Sequence, residues 1–150
     1  MAWPKRDAIR FLFDEDSRGF GLGLMGLRRD LACIGSPPLQ RELPLGIRDP
    51  DWIPLVGGEG WVVITQNIEI RTHPEEAKLA VASNLRVACL VHPEENPDRW
   101  DAARMVLRHW DKIEQLGAVE GPAWLTIHAS RTRRQNFQPG LVQRARPGRL

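Results

Sequence analysis

Four short apolar runs recur along the chain: Ala8–Phe13 (AIRFLF), Trp61–Thr65 (WVVIT), Arg86–Val91 (RVACLV) and Trp124–His128 (WLTIH). They are too short for helices and show no clean polar–apolar alternation. Each therefore reads as a strand covered on both faces, the pattern of a mostly parallel sheet held between helices. Leu31–Ile34 reads as a further strand of the same kind.

The segments between the runs carry helix signals. Gly19–Asp30 has helical length, although its four glycines cost roughly 1 kcal/mol each against alanine. Gly35–Arg48, with Pro37, Pro38 and Pro44, reads as a loop. Asp49-Pro50 is a helix start, an N-cap acceptor followed by proline. Pro54 and Gly57-Gly58 predict that this helix is short. Thr72–Asn84 opens with Pro74 and Glu75-Glu76, acids near a positive helix end. Asp98–Leu116 is the longest predicted helix, with Ala102, Met105, Val106, His109, Trp110, Ile113 and Leu116 on one stripe. Strands alternating with helices predict an α/β domain: a three-layer sandwich, a mostly parallel central sheet of about five strands and helices on both faces.

With 150 residues, 42% of them hydrophobic, the chain is sized for one domain. No run of about 18 apolar residues occurs, so no membrane span is expected. The opening MAWPKRDAIR has no secretory apolar stretch, and Cys33 and Cys89 show no metal spacing. The expectation is a cytoplasmic protein with two buried free thiols. His73, His92, His109 and His128 share no ligand spacing, and His109 reads as a core residue. Trp61 and Trp110 read as core, whereas Trp3 and Trp100 are either local packing or surface stacking platforms.

Charge is unevenly spread. The residues from Ala129 onward hold six arginines and no acid, while the rest of the chain is net −4. A domain over 1–130 with a basic, flexible tail over 131–150 suggests a polyanionic partner.

Acids follow two of the strands: Asp14-Glu15-Asp16 after the first, and Asn67 and Glu69 after WVVIT. Asp49 and Asp51 open the intervening helix. Sites in open α/β sheets form beyond the carboxyl ends of strands, so these clusters are able to meet at one edge. Converging carboxylates repel unless a cation sits among them. Oxygen ligands suit magnesium or manganese, whose chemistry includes phosphodiester hydrolysis.

The run of FLFDED, DPDWI, GWVVITQNIEIRTHPEE and RVACLV resembles PIN-like proteins of the VapC-type toxin group, over roughly residues 8–135. The resemblance implies a PIN-like fold and a magnesium-dependent (or manganese-dependent) endoribonuclease. It also implies the toxin of a toxin–antitoxin pair, with RNA as substrate, a cognate antitoxin as partner and a possible homodimer. Residue by residue, Asp14 matches the first metal-binding acid and Asp49 the second, with Asp51 beside it. Asn67 stands where the family usually carries Asp, and Glu69 or Asp16 is positioned to substitute. Arg71 matches a basic position, and Arg131, Arg133 and Arg134 are further candidates for RNA phosphate. The departure at Asn67 gives a second reading, a PIN-like RNA- or protein-binding module that does not cut. A third rests on Asp14-x-Asp16 and Thr65, which resemble the first two motifs of haloacid-dehalogenase-type phosphatases.

Overall fold

The computed structural model describes residues 3–95 and 97–140. It is an α/β sandwich around one six-stranded sheet. The strands are β1 (Phe11–Phe13), β2 (Leu31–Cys33), β3 (Val62–Thr65), β4 (Arg86–Leu90), β5 (Ala123–Ile127) and β6 (Thr132–Gln135). Their spatial order is β2-β1-β3-β4-β5-β6, and every pairing is parallel except β5 with β6.

The apolar runs form strands because each supplies side chains to two cores. On one face Leu12, Val63, Val87 and Trp124 pack against α2 (Asp49–Glu59), α3 (Glu69–Thr72) and α4 (Pro74–Ala82). On the other face Phe11, Phe13, Ile64, Ala88 and Leu125 meet α1 (Arg18–Leu24), α5 (Arg99–Arg108) and α6 (Trp110–Leu116). Burial on both faces is what removes the alternation of an exposed strand. Cys33 and Cys89 are free and buried, one on each face.

Five sequence expectations change in detail. The first helix is shorter than Gly19–Asp30: the α-helix ends at Leu24 and tightens into a 3-10 turn over Met25–Leu27. The helix opening at Asp49 is not short. It runs eleven residues through Pro54, Gly57 and Gly58 to a left-handed Gly60. Burial of Trp52, Ile53 and Val56 outweighs the one backbone bond that Pro54 forfeits. Gly57 is required there, because a Cβ would lie 2.2 Å from the Ser83 carbonyl oxygen. Asp49 is the first helical residue rather than the N-cap, which is Arg48.

The predicted longest helix is two, broken at His109, whose backbone leaves the helical region (φ −109°, ψ 20°). The His109 ring is buried and faces the Ala129 carbonyl at 3.3 Å. The break turns Trp110 onto the edge of Phe11, with ring centroids 4.7 Å apart. Finally, Thr132–Gln135, at the start of the arginine-rich tail, pairs antiparallel with β5 as a sixth strand. Residues 141–150 of that tail, with Arg144, Arg146 and Arg149, lie outside the described residues.

Candidate metal and nuclease site

After β1 the chain goes to β2 on one side, and after β2 it crosses to β3 on the other side of β1. The carboxyl ends of β1 and β3 are thus the point where the sheet order reverses, the usual place for a site in such sheets. A cavity of about 250 Å³ opens there. It is lined by Asp14, Glu15, Asp16, Asp49 and Asn67, with Ile34, Ile47 and Trp52 as its apolar part.

Asp14 extends the β1 ladder, its amide donating to the Ile64 carbonyl at 3.2 Å. That pairing fixes its carboxyl at the base of the cavity, where only 7% of the residue is exposed. Oδ2 accepts the Thr65 hydroxyl at 2.5 Å, while Oδ1 is buried with no partner. Burial, and then the neighbouring Asp16, push the Asp14 carboxyl well above its ordinary range, against the Thr65 hydroxyl bond and the nearby Ser17 that pull it down. Asp16 is exposed in the 3-10 turn Glu15–Ser17, where its Oδ1 accepts the Ser17 hydroxyl and the Gln66 amide.

Asp49 comes from the first turn of α2, and its Oδ1 accepts the Trp52 indole N–H at 2.8 Å. This bond within one helix turn sets the carboxylate's direction. Behind it lies Glu76, one turn before the buried Ala80 on α4. Glu76 Oε2 is buried without a partner, and burial followed by the Asp49 charge raises its carboxyl above the ordinary value. Sequence reasoning treated Glu75 and Glu76 alike. The signal that separates them is helix phase, since Glu76 shares a face with Ala80.

Asn67 lines the cavity, but its Oδ1 accepts the Glu69 amide at 3.0 Å, which closes the turn leading into α3. Its own amide donates to Thr65 Oγ1 at 3.0 Å, which ties Thr65 to both Asp14 and Asn67. Glu69 and Asp51 are exposed and do not line the cavity. Of the predicted metal-site residues, the fold brings Asp14, Asp16, Asp49 and Asn67 together and leaves those two outside.

The donor set suits a hard divalent cation: carboxylate oxygens, one of them buried and unpartnered, and no sulfur or imidazole. As the side chains stand, no three His, Cys, Asp or Glu groups among the described residues are grouped as an ion-holding set. Nor does any Lys, Arg or His form an ion pair with Asp14, Asp16, Asp49 or Glu76 among those residues. The nearby Arg18 is turned to the Ile34 carbonyl and the Ser36 hydroxyl.

Arg71 donates Nε to the Asn136 carbonyl, and its own carbonyl accepts the Gln138 amide, both at 2.9 Å. It pins the segment after β6. Arg131, Arg133 and Arg134 are exposed on and beside the edge strand β6.

A family model described as a PIN like domain matches residues 36–92, a little over a third of the chain. The matched stretch contains Asp49, Asn67, Arg71 and Glu76, and begins after Asp14 and Asp16. Together with the three-layer fold it supports a PIN-like domain. No curated protein and no solved structure matches the chain. No helix among the described residues is long and apolar enough to cross a membrane.

Proposed function

We propose that this PIN-like domain is a nuclease that hydrolyses RNA phosphodiester bonds with Mg2+ or Mn2+ at the cavity between β1 and β3. Asp14 carries the reading. A carboxylate with a buried, unpartnered oxygen is costly as an anion unless a cation joins it, and acids are what surround it. Asp14 and Asp49, with Asp16, would hold the ion. When bound, such an ion activates water and stabilises charge on a phosphoryl group.

The chain's own residues fix the acids. The Thr65 hydroxyl holds one oxygen of Asp14, and the Trp52 indole holds one of Asp49. Asn67 shapes the turn out of β3 by accepting the Glu69 amide, and its side-chain carbonyl is occupied in doing so. That occupation favours Asp14 and Asp49 over Asn67 as primary ligands. The exposed Arg131, Arg133 and Arg134 would attract the RNA backbone.

The resemblance of DPDWI and GWVVIT to VapC-type proteins extends the proposal to a toxin with a cognate antitoxin. Purified protein should cut single-stranded RNA with Mg2+ or Mn2+, and both a chelator and Asp14→Asn should abolish the cut. Growth arrest on expression, absent for Asp14→Asn, would support the toxin role. An Asp14→Asn variant that cuts normally overturns the site. RNA binding without cleavage by the wild type would favour the second reading, a binding module.

A further inference from the structure

Beside the acid cavity lies a second, apolar pocket of about 480 Å³, beyond the carboxyl ends of β4 and β5 and against α5. Met105 contributes apolar surface, while His92, Trp100, Asp101, Arg104 and Arg108 also line it. Trp100, in the first turn of α5, is 71% exposed, the most exposed large hydrophobic residue among those described. The pocket and the acid cavity are joined through hydrogen bonds. His92 Nε2 lies 2.6 Å from Gln66 Oε1, and Gln66 Nε2 donates to the Asp16 carbonyl at 2.9 Å.

We infer that this pocket receives one unstacked nucleobase of the single RNA strand whose phosphate lies at the Asp14–Asp49 cavity; the inference rests on the nuclease reading. Three observations favour a base over other occupants. An exposed indole beside apolar surface is a stacking platform, and the neighbouring guanidinium groups of Arg104 and Arg108 suit stacking and phosphate contact together. The pocket volume falls in the range of small-ligand sites. Adjacent strands are roughly 4.8 Å apart, so the pocket lies one to two strand spacings from the β3 end of the acid cavity, a short step along one RNA strand.

The lining also predicts which base edge fits. Gln66 spends its amide nitrogen on Asp16, so its oxygen accepts from His92 Nε2–H, which makes Nδ1 of a neutral ring an acceptor. Asp101 and Glu94 add carboxylate acceptors. With the Arg104 and Arg108 guanidinium groups assigned to stacking and phosphate, the groups left for the base edge are acceptors, which favours bases with an exocyclic amino group over uracil.

The test is fluorescence anisotropy of short labelled oligoadenylate, oligocytidylate and oligouridylate with the full chain in chelator, where nothing is cut. Trp100→Ala should weaken oligoadenylate binding about ten-fold, and Trp100→Phe should restore most of it. Trp3→Ala, in a separate hollow beside Met25 and Arg28, should leave binding unchanged. Adenylate and cytidylate should bind more tightly than uridylate. Unchanged binding by Trp100→Ala while Asp14-dependent cleavage persists would overturn the pocket and leave the nuclease standing. Weaker binding by Trp100→Ala, together with a wild type that cuts no RNA with Mn2+, would remove the nuclease and keep base binding. A Trp100 effect on a protein partner but not on RNA would also overturn the inference, and equal binding of uridylate would overturn the base preference.

Discussion

The two ends of the same sheet treat charge in opposite ways. At the amino end, several charged groups have partners. Arg6 bridges Glu42 and Glu59, each at 2.8 Å, and Arg28 bridges Asp30 and Glu114 at 2.8 and 3.0 Å. Arg86 donates to the carbonyls of Gly60, Gly117 and Val119, which ties the turns before β3 and β5 to β4. At the carboxyl end Asp14, Asp16, Asp49 and Glu76 converge with no ion-pair partner among the described residues, and two of their buried oxygens have no hydrogen bond at all. The amino end is arranged for stability. The carboxyl end carries a cost that a bound cation would relieve, as functional sites commonly do.

The largest effect expected from breaking this contrast is at Asp14. Asp14→Asn should lower RNA cleavage by more than the roughly 10–100-fold that loss of a supporting group costs a metal site. The same substitution should raise the melting temperature at pH 7. Asp14 holds its proton more tightly when folded than when unfolded, so its penalty is absent below the unfolded value of about 3.9 and grows as pH rises through the folded value. Melting curves of the two proteins should therefore differ at pH 7 and converge in acid. A variant less stable than wild type at pH 7 would refute the contrast.

At the amino end the sign reverses. Arg86→Ala strips a charged donor from three carbonyls and should cost about 2–3 kcal/mol in urea unfolding, with metal binding intact. An Arg86→Ala protein that unfolds like wild type would remove the structural role assigned to that end. Gly57→Ala, which forces α2 away from Ser83, should cost about 1–3 kcal/mol. Because α2 also carries Asp49, that variant should lose cation affinity as well, and unchanged affinity would separate the helix packing from the site. The smallest effect is at Glu76. Glu76→Gln relieves the repulsion with Asp49 and should stabilise by less than about 1 kcal/mol at pH 7, a gain that fades in acid because the Glu76 carboxyl is raised. Destabilisation at pH 7 would mean that Glu76 has a partner after all.

Much of this architecture is legible in the chain because burial on both faces writes itself into strands such as VVIT and RVACL. The acids after β1 and β3 were legible for the same reason, since a strand's end points to the sheet's edge. Less legible were features set by tertiary contacts. β6 (TRRQ) has no apolar pattern because its place is set by backbone pairing with β5. The break at His109 depends on a carbonyl twenty residues away. Helix α2 outlasts Pro54 because its buried face is fixed by packing rather than propensity. At the site, DPDW named Asp49 but not the bond from Trp52 that orients it, nor the approach of Glu76 from another helix. Spacing also left Glu69 and Asn67 interchangeable, whereas in the fold Asn67 lines the cavity with its Oδ1 held by the Glu69 amide, and Glu69 is exposed.

The central claim, that the uncompensated acids between β1 and β3 hold a divalent cation, is tested most directly by calorimetric titration of Mn2+ and Mg2+ into the wild type and Asp14→Ala. The account predicts saturable binding to the wild type that disappears in the variant. Equal binding by both proteins, or none by the wild type, would contradict it.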